Sequence, residues 1–160
     1  MLKVVSNTTP VLSLLKIGRL EILRELYGEI LVPQAVFEEI EAGKNKLFYQ
    51  DLSLISWVKI EEVQNKNSLA YFLDLDKGEA EAIALAVETN ADLLIIDEKL
   101  GRFHAKHAGL KITGTIGVLL KAKSHGIIQQ IQPLLIELRN SSTWISDKFF
   151  SEIIDLAGER

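Results

Sequence analysis

Asp76-Lys77-Gly78-Glu79-Ala80-Glu81-Ala82-Ile83-Ala84-Leu85-Ala86-Val87-Glu88-Thr89-Asn90, followed two residues later by Leu93-Leu94-Ile95-Ile96-Asp97, is the stretch that decides the fold. Ala80, Ile83, Ala84 and Val87 recur at helical spacing, which predicts a helix over 76–90 with one apolar face. The run 93–96 is apolar without alternation and ends on a carboxylate, the mark of a strand buried on both faces, as in a parallel sheet. Parallel strands need crossover connections, so further strand and helix signals should flank this unit.

Upstream, residues 3–6 read as a short strand that breaks at Asn7-Thr8-Thr9-Pro10, with the proline placed for the first position of a helix. Leu12, Leu15, Leu20, Leu23 and Leu26 recur at helical spacing with Gly18 between them, which predicts two short helices or one bent one. Residues 29–32 read as a second buried strand stopped by Pro33, and Val36, Phe37 and Ile40 form the stripe of a helix closed by Gly43. Residues 44–68 are the least regular, although 57–63 alternates like a half-buried strand. Downstream come a basic helix (98–107), a short strand (110–113), a helix (115–123) and two more helices near 132–139 and 147–157. The pattern predicts an α/β fold: a three-layer α/β/α arrangement with a four- to five-stranded, mainly parallel sheet. Residues 1–160 are read as one domain, with 127–160 a C-terminal helical extension.

Composition narrows the chemistry. With 160 residues, 48% hydrophobic and 25% charged, the chain can bury a continuous core. No apolar run approaches the roughly 20 residues that span a bilayer, and residues 1–5 lack the pattern of a secretory signal, so a cytoplasmic location with no membrane contact is expected. Cysteine is absent, which leaves oxygen or imidazole as metal donors. A net charge of -4 argues against broad basic coating of DNA but permits local basic patches.

In an open parallel sheet the ligand crevice lies outside the carboxyl ends of the strands, where the strand order reverses. Asp97, directly after a strand, points there, with Glu98 beside it; Asp97 could equally cap the following helix. Glu79 projects along the apolar stripe of its helix and needs a partner: a cation, the positive end of the helix dipole, or a capping box with Asp76. Glu81 falls on the Leu85 side and is expected to be more exposed. At about 100° per residue, Glu39 lies beside the apolar arc of its helix and Glu38 nearly opposite, which favours Glu39, although both could be solvated. Asn7 ends the first strand and could offer a neutral oxygen to an ion or simply make a turn.

These residues carry a resemblance. Val4-Val5-Ser6-Asn7-Thr8-Thr9-Pro10, Leu31-Val32-Pro33-Gln34-Ala35-Val36-Phe37-Glu38-Glu39-Ile40, the 76–86 and 94–97 segments, and Thr113-Gly114-Thr115-Ile116-Gly117-Val118-Leu119-Leu120 occur in the order that resembles a PIN domain. In particular they are similar to a bacterial and archaeal branch of that superfamily with predicted nucleic-acid binding. The resemblance covers most of the chain and implies an acidic site at Asn7, Glu39, Glu79 and Asp97. The 18-residue separation of Glu79 from Asp97 is similar to that of the corresponding acids in PIN toxins. Asn7 departs from the pattern, because many active PIN nucleases carry aspartate there.

The resemblance implies a metal-dependent endoribonuclease, in some members the toxin half of a toxin–antitoxin pair, and a homodimer. Mg²⁺ or Mn²⁺ suits such a donor set, since hard ions take carboxylate oxygens, waters and substrate phosphate. Such an ion activates water and neutralises charge on a scissile phosphodiester. Expected roles are ligands for Glu79 and Asp97, ligand or water-positioning base for Glu39, and neutral ligand for Asn7. Thr8 and Glu98 are auxiliary, Thr8 being expected mainly to cap a helix. Lys99, Arg102 and Lys106, at i, i+3 and i+7, form a basic edge that could receive single-stranded or structured RNA or remain a solvated face. His104 and His107 lack a further zinc ligand nearby, and Trp57, Trp144, Phe149 and Phe150 read as core or interface. The rival reading is a binding module, for RNA or a partner such as an antitoxin, that has lost catalysis through Asn7. A receiver domain or a dehalogenase-like phosphatase would want acids where Ser6 and Asn7 stand.

Overall fold

A computed structural model describes residues 2–141 and 143–160. Its strands are β1 (Val4–Ser6), β2 (Ile30–Pro33), β3 (Val58–Glu61), β4 (Leu93–Ile95) and β5 (Ile112–Thr113). They form one sheet in the order β3-β2-β1-β4-β5, with every pairing parallel. The helices are α1 (Thr8–Lys16), α2 (Glu21–Tyr27), α3 (Gln34–Ala42), α4 (Lys77–Glu88), α5 (Lys99–His107), α6 (Thr115–Ser124), α7 (Gln132–Asn140) and α8 (Asp147–Leu156). The expected α/β architecture and its parallel sheet are therefore present, at the upper end of the expected strand count.

Alternation along the strands explains the layers. Val4, Ile30, Val32 and Ile95 face one core with α1, α2, α6, α7 and α8, whereas Val5, Leu31, Leu94 and Ile96 face the other with α4 and Ala105 of α5. Both faces are covered, which is why these strands read as continuous apolar runs. The last two helices share the first core through Leu134, Leu135, Leu138, Ile153 and Ile154.

Several local expectations need correction. The chain breaks into two helices around Gly18, whose φ of 67° is a backbone conformation that glycine adopts without strain. Pro10 sits in the third position of α1, not the first. It is tolerated there because the first four N–H groups of a helix have no partner within the helix. Helix α4 is buried continuously from Gly78 to Ala86, while Val87 is 46% exposed. Glu81, expected to be exposed, is only 4% exposed, and its Oε1 accepts a hydrogen bond from Ala35 N at 3.0 Å. It thus satisfies a donor in the first turn of α3, where an unsatisfied buried N–H would cost about 1–3 kcal/mol.

The strand order reverses between β1 and β4. Their register pairs Ser6 with Ile95, and Asn7 N donates to Ile95 O at 2.9 Å, so the residues that follow both strands emerge side by side. Among the described residues no helix is long and apolar enough to cross a membrane.

Candidate active site

The crevice is built from the carboxyl ends of β1 and β4, the start of α4, and one edge of α3. Asp76 caps α4, its Oδ1 accepting from Glu79 N at 2.8 Å, which places Glu79 in the first turn with its side chain directed inward. Glu79 is 7% exposed. Burial pushes its pKa from the ordinary 4.5 up to about 7, aided by the negative charges of Asp76, Glu98 and Glu39, while the Asp76 backbone N–H partly offsets the rise. None of the groups that set this value is a cation.

Glu39 is exposed by area, yet its carboxylate lies against Gly78 and Thr8. Loss of water raises its pKa, with further upward pushes from Asp76 and Glu98; the Thr8 hydroxyl and Gly78 N–H oppose them. Its neighbour Glu38 turns outward, accepting from Gln34 Nε2 and lying 3.9 Å from Lys77 Nζ. The helical-angle choice of Glu39 over Glu38 matches this arrangement.

Asn7 is 2% exposed. Its Nδ2 donates to Glu98 Oε2 at 3.1 Å, while its Oδ1 is buried with no hydrogen-bond partner. Thr8 Oγ1 is likewise buried without a well-formed hydrogen bond, so Thr8 does not cap a helix; it is the first residue of α1. Thr9 Oγ1 donates to Glu98 Oε1.

Asp97 and Glu98 part company. Asp97 accepts from Thr115 N at 2.7 Å through Oδ1 and from Thr115 Oγ1 at 2.6 Å through Oδ2. It therefore anchors the start of α6 rather than capping α5, whose N-cap position belongs to Glu98. The structure thus brings Glu39, Asp76, Glu79 and Glu98 into electrostatic contact, with Asn7 and Thr8 among them, and turns Asp97 toward α6.

Two hollows meet at α1. One, of about 500 Å³, is lined by Leu12, Lys16, Glu39, Lys46, Phe48 and Tyr49; the other, of about 520 Å³, by Thr9, Leu12, Lys16, Asp97, Thr115 and Trp144, among others. Leu12 and Lys16 line both, so the acids on α3 and after β4 open onto neighbouring depressions. Sequence reasoning missed Lys16, although Thr9, Leu12, Ser13 and Lys16 follow helical spacing on one face. Trp144 is 85% exposed, so it is not part of the core, which leaves the interface alternative open; Phe150 packs beneath Arg139, with the guanidinium 4.6 Å from the ring centre.

The basic edge of α5 is less uniform than its spacing suggests. Lys99 and Lys106 are exposed, but Arg102 is half-buried and donates to Ile96 O at 3.0 Å, so it braces the end of β4. His104 pairs with Asp74 at 2.9 Å.

An oxygen-only set of donors, with Asn7 Oδ1 buried and unpartnered and the Glu79 carboxyl held partly protonated by burial and by its neighbours, suits a hard divalent ion. Among the described residues, no three His, Asp or Glu side chains are already gathered as a metal-binding group. Gly78 leaves room for the Glu39 carboxylate: a Cβ there would press on Glu39 Oε1 and come within 3.1 Å of Thr8 Oγ1. Because a carboxylate end can swing away, Gly78→Ala should shift the melting temperature little while weakening Mn²⁺ binding. Calorimetry showing wild-type Mn²⁺ affinity in this variant would mean that Glu39 does not reach the ion.

A family model described as "DUF3368: PIN domain" matches residues 3–159. No match to a curated protein was found.

Proposed function

The chain belongs to the PIN domain family, whose members are typically metal-dependent nucleases, and from that premise we propose that it is a divalent-metal-dependent endoribonuclease. The observation that carries the reading is the buried Glu79 carboxyl, crowded by Asp76, Glu98 and Glu39. Such crowding is costly in the free protein and is relieved when a cation enters.

Glu39, Glu79 and Asp97 are proposed to hold Mg²⁺ or Mn²⁺, with Asn7 Oδ1 as a neutral donor. When bound, the ion would supply charge neutralisation at the scissile phosphate and activation of water. The rest falls to the chain. Glu79 would have to be ionised to hold the ion, Glu39 could hold it or position water, and Thr8 Oγ1 lies beside Glu39, where its hydrogen bond would steady that carboxylate. Thr115 fixes Asp97 through both oxygens, so Asp97 is the most rigidly held of the three. Lys16, between the two hollows, and exposed Lys99 and Lys106 are placed to meet phosphates, and Trp144 offers an aromatic face to an unstacked base. Membership in a toxin–antitoxin pair and a homodimeric state extend this proposal through the resemblance alone.

Purified protein incubated with single-stranded RNA should cut it in Mn²⁺ and stop when a chelator is added. Asp97→Asn should remove the cleavage with the fold retained, because an amide can still accept from Thr115 N and donate to Thr115 Oγ1. Cleavage that survives chelation, or that is equal in the variant, would defeat the metal mechanism. RNA retention without any cleavage would favour the binding-module reading, to which the neutral Asn7 lends support.

A further inference from the structure

Asn7 and Glu98 stand 91 positions apart in sequence but share a hydrogen bond at the point where the strand order reverses. We infer that Glu98 is an additional ligand of the metal, supplying at the end of β4 the charged oxygen that Asn7 withholds at the end of β1. The assignment rests on the metal-dependent reading above and deepens it.

Two observations carry it. First, Glu98 occupies the N-cap position of α5 yet makes no capping hydrogen bond to that helix. Its two oxygens go instead to the opposite strand end, Oε2 to Asn7 Nδ2 and Oε1 to Thr9 Oγ1. A carboxylate that forgoes the nearest helix N-terminus for two groups across the crevice is aimed into that crevice. Second, the groups around it include a buried oxygen without a partner, Asn7 Oδ1, in a residue 2% exposed. Buried oxygens are seldom left this way, and one beside a set of carboxylates marks where a cation would make a further contact.

The consecutive pair Asp97-Glu98 then divides its labour. Asp97 reaches one side of the strand end and ties down α6, while Glu98 reaches the other and restores the negative charge lost at residue 7. Asn7 Nδ2 holds Glu98 in place, a contact that aspartate could not make, so the neutral residue at 7 and the acid at 98 form one exchangeable unit.

The test is calorimetric titration of Mn²⁺ into the full chain, with thermal melts in the absence of the ion, for wild type, Glu98→Gln, the double variant Asn7→Asp/Glu98→Gln, and Glu79→Gln as reference. Glu98→Gln should weaken Mn²⁺ binding by about 10- to 100-fold without lowering the metal-free melting temperature. Adding Asn7→Asp should return affinity to near the wild-type value, because the charge is moved rather than lost. A merely structural Glu98 would not be rescued in this way. Unchanged affinity in Glu98→Gln, or weakened affinity that Asn7→Asp fails to restore, overturns the assignment. If Glu79→Gln weakens binding and Glu98→Gln does not, only this inference falls; if wild type takes up no Mn²⁺, the metal-dependent reading falls with it.

Discussion

Replacing Glu79 by glutamine is expected to abolish RNA cleavage and, above pH 7, to raise the melting temperature of the metal-free protein. The two effects have one cause. Glu79 is buried at the start of α4 with three carboxylates acting on it, so ionising it in the absence of a cation costs free energy. Glutamine keeps the shape and removes the charge, relieving about 1–3 kcal/mol at pH 8. In a domain of this size each kcal/mol moves the melting temperature by about 2–4 °C. The same charge is what would hold the cation, and losing electrostatic stabilisation of this kind lowers turnover by a factor on the order of 10²–10³ or more. Melts at pH 8 and a cleavage assay in Mn²⁺ check both arms. A variant that cuts at the wild-type rate, or one that melts lower, would place Glu79 outside the site.

The second large effect is a reversal of pH dependence on adding metal. In the folded metal-free protein Glu79 keeps its proton up to about pH 7, whereas in the unfolded chain it releases it near its ordinary 4.5. Between those values the folded state binds more protons, so stability is fullest below pH 4.5 as far as Glu79 is concerned and is lost as pH rises toward 7. The loss is at most about 3 kcal/mol. Glu39, also raised, adds a smaller loss of the same sign because it is more exposed. Asp74, held down by His104, and Glu159, held down chiefly by Lys123, act oppositely: the stability they bring is lost as pH falls through the acid range. Metal-free stability should therefore peak near pH 5. On the proposed metal-dependent reading Mn²⁺ would compete with the Glu79 proton, so the rise in melting temperature that it causes should be small at pH 5 and grow through pH 7. Melts across pH 5–8 with and without Mn²⁺ decide this; a Mn²⁺ effect independent of pH would mean that the ion binds elsewhere.

Much of this was legible from residues alone, for reasons that can be named. The unbroken run Leu93–Leu94–Ile95–Ile96 could only suit a strand covered on both faces, and that settled the sheet type. Helical angle was enough to prefer Glu39 to Glu38 and to turn Glu79 inward, because those choices depend on one helix and its own stripe. Glu81 was misread because the same reasoning assumes a single buried face, whereas α4 is also covered by the start of α3, a contact 46 positions away. The split between Asp97 and Glu98 was hidden for a similar reason. Consecutive residues after a strand have no fixed facing, and their directions are decided by Thr115 on one side and by Asn7 and Thr9 on the other.

If the proposed nuclease reading holds, the pairing of strand ends so distant along the polymer also sets when the protein would become dangerous to its substrate. A growing chain on the ribosome carries Asn7 and Thr8 early but has neither Asp97 nor Glu98 until about 90 further residues have been made, and β1 and β4 must then find each other across that whole interval. Cutting competence would then arrive abruptly, at the closing of the sheet, and a product stalled before it would be inert.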